Sequence, residues 1–235
     1  MKGLINKIIS YFIDNKTEQD YIDSLRSKGI KIGDNTVFFD WKSNIVDTQR
    51  PWLIEIGSYC KITHGVVILS HDYSRSVLRR VYGEVIDGAK KTKIGDNVFI
   101  GMNSVILMGA NIGNNVIIGA GSIVSGIIPD NVVVAGNPAK IICTLDEYYQ
   151  KRKSRYVEEA KENLKCFKER NGRIPTINEM GAFFPIYLER NRDELKKHNI
   201  RTNLSGDEEE DVISSFLQSK PVYESYQNFV DDAIK

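Results

Sequence analysis

The middle of the chain repeats every six residues, and this repeat restricts the possible folds more than any other feature of the sequence. From residue 94 the consecutive blocks are IGDNVF, IGMNSV, ILMGAN, IGNNVI, IGAGSI and VSGIIP. Their first position is always a β-branched aliphatic residue, namely Ile94, Ile100, Ile106, Ile112, Ile118 and Val124. This period fits neither a helix, which repeats every ~3.6 residues, nor an amphipathic strand, whose side chains alternate between two faces.

The repeat predicts a triangular parallel β-helix, in which each block forms a short strand followed by a tight corner. Three blocks complete one coil, and stacked coils bury the first residue of every block. Less regular coils are expected earlier, around Ile32, Ile54, Ile62 and Ile68. Glycine or asparagine is expected to supply positive φ at the corners.

Residues 73–93 break the period and therefore predict a loop that leaves the β-helix. Such loops are where repeat proteins commonly carry function. Beyond residue 145 the sequence becomes charged and favours helices, with stretches predicted from 145 to Gly172, from about Ile177 to Lys197 and from about Asp211 to Gln218. These boundaries predict three parts: an N-terminal helical segment (1–29), a β-helix (30–144) and a C-terminal helical extension (145–235).

Charge and cysteine content narrow the class of protein further. The 235 residues include 32 basic and 31 acidic side chains, and this balance argues against a protein that coats nucleic acid or an anionic membrane. Three cysteines are too few for a disulfide framework and favour a reducing compartment, so we expect the cytoplasm. The apolar residues within 1–14 have helical spacing, but the run is too short to span a membrane.

Residues from about 30 to 142 resemble the left-handed β-helix acyltransferases of the hexapeptide-repeat superfamily. The resemblance rests on KIGDNVFIGMNSVILMGANIGNNVIIGAGSIV and on the closing IPDNVVVAGNPAKII. Within the superfamily the sequence is most similar to the maltose, galactoside and polysaccharide O-acetyltransferases. The resemblance implies left-handed coils, acetyl-CoA as co-substrate without a metal, a homotrimer with the cofactor groove between subunits, and a sugar hydroxyl as acceptor.

His71 is the candidate general base, because it ends the coil ITHGVVILSHDYS at the point where the period breaks. Histidine exchanges protons near neutral pH, and the resemblance places the catalytic histidine ahead of the interrupting loop. A carboxylate is expected on its other nitrogen, either Glu84, which matches the family's Gly-Glu, or the adjacent Asp72. His64 is expected to be a corner residue that also suits contact with the acceptor, and His198 a surface residue.

The resemblance also implies positions for the two substrates. Those for acetyl-CoA are Phe99, Met102 (through its backbone amide), Ala120, Ser125 and Lys140. At position 126 the usual lysine is replaced by glycine, which removes one expected phosphate contact. Candidates for the acceptor are Asp40, Trp41, Asp47 and Arg50, although Trp41 is equally suited to capping the open end of the prism.

Two other functions remain open at this point. An antibiotic-acetylating enzyme would keep the chemistry and change the acceptor, whereas a β-helix scaffold would lack turnover. Zinc catalysis, found in β-helix carbonic anhydrases of the γ-type, needs three converging histidines, and the repeats hold only His64 and His71. No metal site is therefore expected.

Overall fold

The structure, a computed structural model, describes residues 17–202 and 206–235. The helix predicted for residues 1–14 lies outside these residues. The chain divides into two compact units, the first ending at Asp146 and the second extending from Glu147 to Lys235. Each unit has its own hydrophobic core.

The first unit is a three-sided prism built from short strands. In chain order these are β1 (Lys31–Ile32), β2 (Val37–Phe38), β3 (Ile45–Val46), β4 (Ile54–Ile56), β5 (Lys61–Ile62), β6 (Val67–Ile68), β7 (Thr92–Ile94), β8 (Phe99–Ile100), β9 (Val105–Ile106), β10 (Asn111–Ile112), β11 (Ile117–Ile118), β12 (Ile123–Val124), β13 (Ile127–Ile128), β14 (Val132–Ala135) and β15 (Lys140–Thr144). They form three sheets, which we call faces A (β1, β4, β7, β10, β13), B (β2, β5, β8, β11, β14, β15) and C (β3, β6, β9, β12). All neighbouring strands are parallel except β14 and β15, whose antiparallel pairing ends face B.

The strand register confirms the predicted repeat. Ile94 pairs with Ile112, Ile100 with Ile118 and Ile106 with Val124, so equivalent positions of successive coils lie in line. All six first-position residues are buried in the prism, as are the fifth-position residues Val98, Ser104, Ala110, Val116 and Ser122. The predicted fold class, a left-handed parallel β-helix with helices at both ends, is confirmed by this architecture.

Two different constraints shape the corners. Positive φ occurs at the fourth position of the blocks, as at Asn97 and Asn115, where the chain turns. The second-position glycines serve another purpose: a Cβ on Gly101 would lie 2.5 Å from the backbone nitrogen of Ala120 in the next coil. Coils stack too closely there for any side chain.

The predicted loop leaves between faces C and A and contains helix α2 (Arg75–Tyr82). Its two ends are held together by an isolated antiparallel bridge between His71 and Ala89 and by a 3.0 Å hydrogen bond from Lys90 N to Ser70 O. The sheet resumes at Thr92, slightly earlier than the predicted end of the loop.

Helix α1 (Glu18–Ser27) lies inside the predicted N-terminal segment. A capping box between Thr17 and Asp20 begins it, and Ile22 and Leu25 are buried in the core of the first unit. The helix therefore packs against the prism.

Helix α3 (Leu145–Asn171) begins two residues before the second unit and belongs to it from Glu147 onward. The second unit also contains α4 (Arg192–Lys197), α5 (Glu209–Gln218) and α6 (Tyr226–Ala233). The predicted helix from Ile177 to Lys197 is wrong, because the segment forms a 3₁₀-helix, Gly181–Ile186, and then the short α4. Pro185 lacks an N–H and Asn191 caps the start of a new helix, which explains the break. The helix predicted near Asp211 is confirmed, with its acidic first turn, and α6 was not predicted.

Candidate active site

His71 contacts a buried carboxylate one coil earlier in the prism. Its Nδ1 forms a short hydrogen bond with Oδ2 of Asp47. The Asp47 side chain is 5% exposed and that of His71 is 17% exposed, so both are largely shielded from water. The carboxylate accepts the Nδ1 proton and thereby leaves the lone pair of the neutral ring on Nε2.

Asp47 is held in place by three further donors. Its Oδ1 accepts from Gln49 N at 2.9 Å, and Oδ2 accepts from Ser70 N at 3.1 Å and from Ser70 Oγ at 2.5 Å. Burial raises the pKa of Asp47, but these hydrogen bonds and the one from His71 outweigh burial and lower the pKa below its usual value. Asp47 is therefore charged at neutral pH and fixes the orientation of the His71 ring.

The second nitrogen of the ring, Nε2, has different surroundings from Nδ1. Nε2 of His71 has no hydrogen-bond partner among the residues that the structure describes. His71 stands at the neck of the inserted loop, where Asp72 N donates to Gly88 O at 3.4 Å. An imidazole fixed on one nitrogen and unpaired on the other has the form of a general base.

In the structure Asp47 contacts the nitrogen for which Glu84 or Asp72 was expected. Glu84 is exposed on the inserted loop, and in the described part of the chain its side chain forms no hydrogen bond or ion pair with His71. Asp72 instead accepts hydrogen bonds from Ser74 N at 2.9 Å and Ser74 Oγ at 2.6 Å. Among the described residues, neither of the two forms a hydrogen bond with the His71 ring.

The other histidines have different surroundings. His64 Nδ1 lies 2.6 Å from Asp40 Oδ2, but both side chains are about half exposed, unlike the His71 pair. His198 Nε2 lies 3.2 Å from Glu194 Oε2 on α4 of the second unit. Within residues 17–202 and 206–235, no cluster of His, Cys, Asp or Glu could hold a metal ion.

A second feature concerns backbone N–H groups at the third position of the blocks. At the corner between faces A and B, side chains of the next coil cap these groups: Ser58 N donates to Asp96 Oδ1 at 2.7 Å, and Asp96 N to Asn114 Oδ1 at 2.8 Å. At the corner between faces B and C the third positions are Met102 and Ala120, whose side chains offer no oxygen. Their N–H groups have no partner in the described chain.

The remaining residues predicted for the cofactor lie on the outside of the prism. Phe99 is exposed on β8 of face B, Ser125 is exposed after β12, and Lys140 is exposed at the start of β15. No side chain lies within 4 Å of a Cβ placed on Gly126, so the surface is open where the usual lysine is missing.

The structure does not bring His71 and Met102 together within one chain. His71 follows β6 at the corner between faces C and A, whereas Met102 follows β8 at the corner between faces B and C. One full side of the prism separates the two corners. Each chain therefore carries two separate parts of the predicted site.

The acceptor candidates are distributed unevenly. Trp41 is half-buried and stacks on Tyr21 of α1, with ring centroids 5.4 Å apart, which matches the capping alternative. Asp40 pairs with His64 as described. Arg50 forms an ion pair with Asp87 of the inserted loop and so lies beside the neck that carries His71.

The contact between Asp47 and His71 was not predicted, because Asp47 was among the candidates for the acceptor. A signal was present, since Asp47 precedes His71 by 24 residues and Asp40 precedes His64 by the same interval. Strands β2 and β5 pair with this offset as well, as in Val37 with Lys61. The irregular coils are therefore longer than the regular ones, and residues 24 apart lie in contact.

Comparisons with known proteins agree with the repeat and the fold. A family model described as bacterial transferase hexapeptide (six repeats) matches residues 91–126. Protein CapG of Staphylococcus aureus is 40% identical over 129 residues, which are 55% of this chain and 74% of CapG. Putative acetyltransferase YvoF of Bacillus subtilis (strain 168) is 36% identical over 107 residues, 46% of this chain and 57% of YvoF.

Among solved structures, a maltose O-acetyltransferase from Clostridium difficile 630 is similar, with a TM-score of 0.43, 25% identity and coverage of 59% of this chain and 83% of that one. The chain thus spans about three quarters of CapG and somewhat more than half of YvoF. On the repeat, the three-sided parallel prism and the similarity to CapG, the chain belongs to the hexapeptide-repeat acetyltransferase superfamily.

Proposed function

We propose that the protein transfers an acetyl group from acetyl-CoA to a hydroxyl of a sugar or polysaccharide precursor, with His71 as general base. The observation that carries the proposal is the buried pair in which Asp47 holds Nδ1 of His71 while Nε2 stays unpaired. The family supplies the reaction type, and YvoF, among the relatives, is named an acetyltransferase.

His71 would act twice in one turnover. Nε2 accepts the proton of the acceptor hydroxyl as its oxygen attacks the acetyl carbon, and the same nitrogen then gives that proton to the departing sulfur. The ring carries a positive charge between the two transfers, and the Asp47 carboxylate stabilises it. Acetyl-CoA, when bound, supplies the activated thioester.

The unpaired N–H groups of Met102 and Ala120 fit a long amide-containing cofactor. Met102 N–H is suited to donate to the thioester carbonyl oxygen as negative charge develops there, and Ala120 N–H to a pantetheine amide. Phe99 would flank the pantetheine arm and Ser125 would lie near the adenine. Lys140 would pair with a CoA phosphate.

We propose direct attack without an acyl-enzyme, because Cys60, the cysteine within the repeats, is a poor nucleophile. Cys60 is fully buried in the prism, and burial raises the pKa of its thiol, so it is neither accessible nor ionised at neutral pH. The remaining cysteines lie outside the repeats, at Cys143 and Cys166.

We further propose that the active unit is a homotrimer. The two parts of the site stand at different corners of one prism, and a neighbouring copy would bring His71 of one chain to Met102 of the next. A stable monomer in light scattering that retains full activity would refute this assembly. A cytoplasmic location would match the supply of acetyl-CoA and the three free cysteines; no helix in the described residues is long and apolar enough to cross a membrane.

The test is release of free CoA thiol from acetyl-CoA with a panel of sugars and antibiotics. We expect turnover with sugars, and a fall in kcat of about 100-fold or more for His71→Ala. His64→Ala is the matched control, because His64, like His71, is paired with an aspartate but is exposed to solvent. Turnover with antibiotics alone would assign the alternative acceptor, and acetyl-CoA binding without any turnover would indicate a scaffold.

A further inference from the structure

The inserted loop and the segment before β4 form a cluster of charges beside His71. Arg50 Nη2 pairs with Asp87 Oδ2, and Arg75 Nη1 lies 3.4 Å from Asp87 Oδ1. Two guanidinium groups thus share one carboxylate. The cluster is next to the base, because Asp87 precedes Gly88, whose carbonyl accepts from Asp72 N, and Arg50 follows Asp47 by three residues.

Arg50 has a donor that the protein leaves unused. Its Nη1 is buried and has no hydrogen-bond partner among the described residues, whereas Nη2 donates to Asp87 Oδ2. A buried N–H of a charged group without an acceptor is unfavourable, because it has lost water and gained nothing. Such a donor is satisfied when a ligand brings an oxygen to it.

The net positive charge of the inserted loop also favours binding of an anion. Residues 73–93 carry six basic and two acidic side chains, in a chain whose formal net charge is only +1. Of these groups, Lys91 is neutralised by Glu55, at 2.7 Å, whereas Arg79 and Arg80 are exposed on α2. A basic rim around a catalytic group raises the local concentration of anions and speeds their association.

We infer that the acceptor is an anionic sugar, one that carries a carboxylate or a phosphate, and that Arg50 and Arg75 bind this group. The inference rests on the proposed function, since it identifies the acceptor class at the same site. The anion would supply the missing oxygen to Arg50 Nη1 and balance the excess positive charge of the cluster. Asp87 then acts as the internal counter-ion that holds the two guanidinium groups in position.

The test compares three acceptors by thiol release from acetyl-CoA: p-nitrophenyl β-glucoside, p-nitrophenyl β-glucuronide and glucose 1-phosphate. We expect kcat/KM for a charged acceptor to exceed that for the neutral glucoside by about 10- to 100-fold, the range of a charge-assisted contact. The glucuronide and the phosphate separate the two possible anionic groups.

Arg50→Gln should abolish the preference for the charged acceptor, while Arg80→Gln, which removes an equal charge from the inserted loop nearby, should keep it within about twofold. Asp87→Asn should increase the preference, because it removes the competing carboxylate and keeps an oxygen for Arg50. If Arg50→Gln and Asp87→Asn both reduced the preference equally, the pair would only fasten the loop, and the inference would be wrong.

A binding measurement gives a readout besides activity. Isothermal titration calorimetry should show that glucose 1-phosphate binds to the parent and to Arg80→Gln. For Arg50→Gln the affinity should fall by about 10-fold or more. If Arg50→Gln bound glucose 1-phosphate as tightly as the parent, or if it changed KM for acetyl-CoA instead, the cluster would not bind the acceptor and the inference would be wrong. Equal turnover of the glucoside, the glucuronide and glucose 1-phosphate would overturn the inference alone, whereas no turnover of any sugar would overturn the proposed function with it.

Discussion

Replacing Asp47 with asparagine tests the central contact of the proposed mechanism, because it removes a charge and leaves the size of the side chain unchanged. In the parent, Oδ1 accepts from Gln49 N, and Oδ2 accepts from Ser70 and from His71 Nδ1. An asparagine can present its oxygen to only one of these two sets of donors.

Both orientations of the amide impair the base. If the oxygen stays with Gln49 N, the amide NH₂ faces His71 Nδ1 and favours the tautomer with its proton on Nε2, which cannot accept the hydroxyl proton. If the amide is flipped, the NH₂ faces the Gln49 N–H, and two donors meet at a buried site at a cost of about 1–3 kcal/mol. In either orientation no carboxylate remains to stabilise the positive charge that develops on His71.

These effects together predict a fall in kcat of about 10²- to 10⁴-fold for Asp47→Asn, with little change in KM for acetyl-CoA. Thiol release under saturating acetyl-CoA measures it, and circular dichroism confirms that the fold is kept. Glu84→Gln and Asp40→Asn are the controls, since the structure gives neither carboxylate a contact with His71. Turnover by Asp47→Asn at the parent's rate, or an equal loss in Glu84→Gln, would refute the assignment of Asp47.

Three further outcomes are expected. Lys140→Ala should raise KM for acetyl-CoA by about 10- to 150-fold with kcat nearly unchanged, and it should leave KM for acetyl-pantetheine, which lacks the nucleotide phosphates, at the parent's value. Ala120→Asn should cap the Met102 N–H and lower kcat by about 10²- to 10³-fold without lowering Tm, whereas Ala120→Ser, with a shorter side chain, should do less. Glu179, whose pKa its ion pair lowers to about 2, stabilises the fold above its ordinary pKa of about 4.5; Glu179→Gln should therefore lower Tm at pH 7, and the difference should vanish as the pH falls from about 4.5 to 2.

The regular part of the fold could be predicted because each position there is set by its nearest repeats. Ile100, for instance, must point inward whenever the six-residue period holds, and the register with Ile118 follows from it. The carboxylate that contacts His71, that of Asp47, could not be predicted from the repeat. Asp47 reaches His71 across an irregular coil, so its position depends on the length of segments whose sequence shows no period. Glu84 stays a prediction from the resemblance, and a resemblance does not fix where an inserted loop folds.

The third residue of each hexapeptide determines whether a backbone N–H group of the neighbouring coil is capped by a side chain. Between faces A and B it is occupied by side chains with oxygens, Ser58, Asp96 and Asn114, which cap the N–H groups of neighbouring coils and so stabilise the stack. Between faces B and C the same position holds Met102 and Ala120, and the caps are missing. The fold tolerates the loss because this corner is exposed and water can satisfy the N–H groups there. The capped and uncapped corners thus differ by a single side chain per coil: an apolar third residue in a hexapeptide leaves the third-position N–H of the preceding coil without a side-chain cap, as Ala120 does for Met102 in the described chain.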